Sequence, residues 1–167
     1  MLERTIEYAT ACHKNVNHTY GKRPYHFHLN MVYEVAQKFN YLVPKDTLEN
    51  VYCGCWVHDL IEDARETYND VLKHTNRTVA ELAYALTNEK GRTRADRAND
   101  TYYEGIQNTP HATFIKFCDR IANVTHAKEQ NSKMLKMYRA ENPYFIKKLY
   151  RPELEDMIAF LETLLET

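Results

Sequence analysis

Residues 51–61, VYCGCWVHDLI, are apolar on nearly every face of a helix, and such a segment folds only when other elements wrap it. Around it, apolar side chains recur three or four residues apart. Leu2, Ile6, Ala9, Cys12 and Val16 mark one face of a first helix. No stretch alternates apolar and polar residues over the length of a strand, and neither a repeat nor a low-complexity tract interrupts the pattern. An all-α bundle is therefore expected.

Punctuation residues divide the chain further. Pro24 suits the first turn of a second helix over about 25–39. Asp46, three residues before Glu49, reads as the N-cap of a third helix from Thr47 to about Asp63. Two short helices are expected over 68–74 and 79–86, with the turn-like NEKGRT after them, and a sixth over about 94–106. Pro110 opens a long helix over about 111–129, another covers 132–140 before Asn142-Pro143 interrupts it, and the last runs from Pro152 to the end.

A chain of 167 residues suits a single core. With 22 Lys and Arg against 23 Asp and Glu, the formal charge is −1, which gives no general attraction for a long nucleic acid. No apolar run approaches the length that spans a bilayer, and the N-terminal segment lacks the apolar centre of a signal peptide, so a cytoplasmic, non-membrane protein is expected. Cys12, Cys53, Cys55 and Cys118 read as free, packed thiols. The Cys53-Gly-Cys55 spacing lacks the usual two-residue gap of a zinc pair, and no second pair completes a set.

The chemistry concentrates in His58-Asp59-Leu60-Ile61-Glu62-Asp63. On a continuous helix Glu62 lies over His58 and Asp63 over Asp59, so an ion above the shared edge of His58 and Asp59 would be flanked by two carboxylates one turn later. Burying unpaired acids in an apolar helix is costly, and a divalent cation removes that conflict. Taken alone, Glu62 and Asp63 also fit the solvated end of an amphipathic helix, whereas His58 and Asp59 sit between Trp56-Val57 and Leu60-Ile61 and fit ligation better.

Two ligands from one helix do not complete a site. Pro24-Tyr25-His26-Phe27-His28 supplies two histidines at a helix start, at least one of them suited to the surface. Lys116-Phe117-Cys118-Asp119-Arg120-Ile121-Ala122-Asn123 sets Asp119 in an apolar stripe, with Lys116, Asp119 and Asn123 on one face. A cation, a metal-capable carboxylate and an amide together suit an anionic substrate.

In this order, PYHFH, HDLIED and KFCDRIAN resemble the HD-domain phosphohydrolases, specifically the hydrolase domain of the RelA/SpoT family and its stand-alone small alarmone hydrolases. The resemblance spans most of residues 5–130 and implies a single HD-type helical bundle with C-terminal helices over about 131–167. It implies His28, His58, Asp59 and Asp119 as ligands of one divalent metal, manganese, while His26 falls at a variable position. Glu62 and Asp63 match the paired acids that position and activate water and assist the leaving group. Lys116 and Asn123 would hold the nucleotide, with Arg97, Tyr25 and Tyr102 or Tyr103 as further contacts. Family members usually carry an arginine-containing stretch upstream of the PYxxH segment that packs on the purine. Here that loop is shortened to HTYGKR, and Lys22 or Arg23 is expected to substitute.

The length matches the hydrolase-only members. The reaction implied is removal of the 3′-pyrophosphate from a guanosine alarmone by an ion-activated water. A nucleotidase acting on 5′-monophosphates, a phosphatase acting on a dinucleotide cofactor, and a non-catalytic nucleotide-binding module are the alternatives. The basic, aromatic stretch KMLKMYRAENPYFIKKLY reads as packing helices, and the residues leave open whether the chain is a monomer or a homo-oligomer.

Overall fold

In a computed structural model, which describes residues 1–166, the chain winds around one central helix. α1 (Leu2–Asn15) leads into a small antiparallel hairpin, β1 (Thr19–Tyr20) and β2 (Arg23–Pro24), in which Tyr20 lies opposite Arg23. The hairpin was not expected from the sequence, because two-residue strands carry no periodicity. Gly21, at φ +61°, takes the first position of the two-residue loop, where a left-handed backbone favours glycine. α2 (His26–Lys38) follows.

The expected third helix is broken. α3 (Leu48–Val57) ends at His58, and α4 (Leu60–Asp63) starts afresh after Asp59, whose φ −105° and ψ 3° cannot continue an α-helix. Its start also differs from expectation: Thr47, not Asp46, is the N-cap, and its hydroxyl donates back to Pro44 O. The expected sixth helix is likewise divided into α7 (Arg94–Arg97) and α8 (Asp100–Asn108), because Thr93 forms a capping box with Asp96 and Asn99 then caps a new helix through the Tyr102 amide. α5 (Tyr68–His74) carries the same kind of box, Thr67 with Asp70, and Asn76 caps α6 (Arg77–Leu86).

α9 (Ala112–Glu129) is the axis of the fold. Ile115, Phe117, Cys118, Ile121 and Val124 are fully buried along it. α2, α3 and α6 pack against one side, and α10 (Met134–Leu149) and α11 (Glu155–Leu165) cover another. Pro143 does not stop α10. Phe145 and Leu149 beyond it are both buried, and their packing holds the helix through a residue that removes one backbone donor. A second apolar cluster, built on Leu29, Trp56, Leu60 and Val79, joins α1 through α6. All four cysteines are free and buried. Among the described residues, no helix is long and apolar enough to cross a membrane.

Candidate metal centre

Three elements bring four polar side chains to one point: α2 delivers His28, the break between α3 and α4 delivers His58 and Asp59, and α9 delivers Asp119. His28 Nε2 lies 3.2 Å from Asp119 Oδ1 and 3.7 Å from Asp59 Oδ2. His58 Nε2 lies 2.9 Å from Asp59 Oδ2 and 3.8 Å from Asp119 Oδ1. Ligand-capable atoms of His28, His58 and Asp119 all fall within 4.8 Å of one another, and this buried group could hold a metal ion. The broken helix matters here: Asp59 caps α4 instead of continuing α3, so Asp59 and His58 converge by a turn of the backbone and not by sharing a helix edge.

The residues fit a divalent cation on three counts. His58 Nδ1 contacts the Cys55 carbonyl at 2.8 Å; a carbonyl only accepts, so Nδ1 carries the hydrogen and Nε2 faces the carboxylates. Although close to Asp59, His58 Nε2 is not aligned for a hydrogen bond with it, and it is left without a partner while fully buried. Finally, opposite charges face one another across the cluster. Burial disfavours a charged His58, yet the Asp59 carboxylate overrides it and pushes the imidazole up to about 9. Against the same burial, His58 holds Asp59 well below the ordinary carboxylate range, and Lys116 does so for Asp119. Buried Asp119 and partly buried Asp59 stay ionised only beside positive charge, which His58 and Lys116 supply here and a bound cation would supply with His58 neutral.

Surrounding side chains orient the ligands. Tyr25 OH donates to Asp59 Oδ2 at 2.5 Å, Lys116 Nζ donates to Asp119 Oδ2 at 2.9 Å, and Asn123 Nδ2 donates to Asp119 Oδ1 at 2.6 Å. Lys116 and Asn123, expected to hold a nucleotide, each give a donor to Asp119 and also line the cavity described next. Tyr20, which the sequence did not single out, completes this shell: its hydroxyl donates to Asn123 Oδ1 at 2.7 Å, and its ring stacks on His28 with centroids 4.8 Å apart.

A cavity of about 360 Å³ opens on the cluster. Tyr25, His28, Asp59, Asp119, Asn123 and Lys116 line it, as do Glu62 and Asp63 on the exposed turn of α4. Arg97, Tyr102 and Tyr103 line it too, and Arg97 has no carboxylate partner among the described residues. Around Asp63, protein mass displaces water even though the residue is exposed by area. That desolvation, together with the Asp59 and Glu62 carboxylates, pushes its carboxyl up to about 7. Lys22 and Arg23 do not reach this cavity. The hairpin carries them to a separate cleft on another side of Tyr25, and the Arg23 guanidinium sits over the Phe27 ring at 4.2 Å. The exposed His26 lies in that same cleft.

Two further features of the cavity were missed from sequence. Glu62 is held by Asn88, whose backbone amide donates to one carboxylate oxygen at 3.1 Å and whose side-chain amide donates to the other at 2.8 Å. Glu141 of α10 binds Arg94 of α7 at 2.6 Å and Arg120 of α9 at 2.9 Å, and Arg120 packs over Tyr138 and Phe145. Arg120 could have been noticed, since an arginine inside an apolar helix needs a partner. Asn88 carries no comparable signal.

No protein-family model and no curated protein matches the chain. Among solved structures, it is similar to one described as a metazoan ortholog of SpoT that hydrolyzes ppGpp and plays a role in starvation responses. The TM-score is 0.74 at 18% identity, over 97% of this chain and 93% of that one. This likeness establishes the architecture: apart from its short hairpin the chain is helical, with an HD-type fold similar to that of this neighbour.

Proposed function

We propose that the chain is a metal-dependent phosphohydrolase of phosphorylated nucleotides, with removal of the 3′-pyrophosphate from a guanosine alarmone as its leading reaction. The observation that carries the proposal is the meeting of His28, His58, Asp59 and Asp119 at a cavity that also holds two acids, Glu62 and Asp63, and a cation, Arg97, without an ion-pair partner among the described residues. A divalent cation bound by such a set, manganese by the resemblance, lowers the pKa of water and offsets phosphate charge.

In the proposed reaction, the oxygen of water bonds to the phosphorus attached to O3′ and the P–O3′ bond breaks. Glu62 takes a proton from the water, Asp63 returns one to O3′, and pyrophosphate departs. Arg97 stabilises the departing charge, and Tyr102 and Tyr103 contact the nucleoside. Tyr25, Lys116 and Asn123 serve by fixing Asp59 and Asp119.

A second reading, a phosphatase acting on another nucleotide, is favoured by one observation: Lys22 and Arg23 face a different cleft and do not replace the purine-packing arginine. Incubating a nucleotide panel with manganese separates the two. Pyrophosphate release from guanosine alarmones is expected, and orthophosphate release from another nucleotide supports the second reading. Unchanged turnover in a Glu62→Gln, Asp63→Asn double variant would overturn both.

A further inference from the structure

On another side of Tyr25 lies a cleft of about 570 Å³, within the range of small-molecule sites. Three permanent cations, Lys14, Lys22 and Arg23, line it with three imidazoles, His13, His18 and His26, and no carboxylate does. None of the three cations has an ion-pair partner among the described residues. A chain whose overall charge is −1 thus gathers positive charge in one concave place without neutralising it.

Two features make this more than a basic surface. His13 is 1% exposed; its Nδ1 lies 3.0 Å from His18 Nδ1, and its Nε2 is buried with no hydrogen-bond partner among the described residues. Burying a ring nitrogen unsatisfied is unfavourable unless water or a ligand completes it. One of the cations is also held in place: the Phe27 ring supports the Arg23 guanidinium. The hydroxyls of Thr10 and Thr19 supply uncharged donors.

We infer that this cleft is a phosphate-binding site distinct from the metal cavity, taking the phosphate or diphosphate group of a phosphorylated small molecule. Three cations in one cleft match a compact anion and not an extended one. The inference stands whether or not the metal cavity hydrolyses a nucleotide. Tyr25 is common to both cavities, and His18 stacks on it with centroids 3.8 Å apart. The phosphate therefore comes either from a second ligand or from the far end of a nucleotide that reaches both cavities.

The test is a titration of the full chain with inorganic pyrophosphate, followed through backbone amide and histidine ring NMR signals. Saturable shifts confined to residues 10–26 are expected. A Lys22→Ala, Arg23→Ala double variant, changed at two exposed positions, should bind at least about tenfold more weakly with an unchanged melting temperature. Adding a nucleoside 3′,5′-bisphosphate then identifies the source. Shifts at residues 94–103 together with displacement of pyrophosphate from 10–26 mark one ligand spanning both cavities, whereas shifts at 94–103 with pyrophosphate retained mark a separate ligand. Absent or non-saturating shifts at residues 10–26, the same shifts with chloride at equal ionic strength, or undiminished binding by the double variant would overturn the inference.

Discussion

Replacing Glu141 by alanine tests how the cavity wall is held. Arg120 has a side chain only 8% exposed, and Glu141, its carboxylate partner, is 30% exposed. Breaking a fully buried pair costs about 3–5 kcal/mol. Here the guanidinium keeps its contacts with Phe145 and Tyr138, and water already reaches Glu141, so a loss of about 2 kcal/mol is expected. For a domain of this size that is a fall in melting temperature of about 4–8 °C. Arg94, half exposed, returns to water when unpaired, so Arg94→Ala should cost no more than about 1 kcal/mol.

The pH dependence of this effect has a definite sign. Arg94 and Arg120 hold the Glu141 carboxyl below its ordinary value despite burial. The stabilisation is present above the ordinary glutamate range and is lost as pH falls through the depressed folded value. The gap between wild type and Glu141→Ala should therefore narrow in acid. Thermal denaturation of the three proteins across pH decides the matter. A Glu141→Ala melting temperature equal to wild type, or a larger loss in Arg94→Ala, would refute the assignment of Arg120 as the costly partner.

Other outcomes follow from the same geometry. Asn88→Ala frees both oxygens of Glu62 and should lower kcat about tenfold or more with little change in KM or melting temperature, read by steady-state kinetics on the nucleotide hydrolysed. Tyr25→Phe removes the hydroxyl that orients Asp59 and should weaken divalent-metal affinity about 10–100-fold, measured by competition with a chelator. Gly54→Ala places a methyl 2.6 Å from the tip of Ile115 where α3 meets α9, and should destabilise by about 1–3 kcal/mol in chemical denaturation.

Much of this architecture was legible because helix periodicity is local. The apolar spacing of α1 and the turn residues around α5 found those elements, and the burial of VYCGCWVHDLI showed that a polar pair inside it needed a reason. What was not legible depended on neighbours far along the chain. The break at Asp59 follows from backbone angles that an HDLIED string does not reveal, and Pro143 stays helical because Phe145 is anchored in the core. Lys22 and Arg23 were expected to replace the purine-packing arginine of the resembled family, but a short hairpin turns them to the other cleft. Asn88 and Glu141 act across 26 and 47 residues respectively, on Glu62 and Arg94, separations at which spacing carries no information.

Metal content measured after equilibrium dialysis against manganese tests the central claim most directly. Wild type should retain about one ion per chain and gain thermal stability from it, while His58→Ala and Asp119→Ala should retain almost none. Full occupancy in either variant, or a wild-type protein that binds no divalent ion, would contradict it.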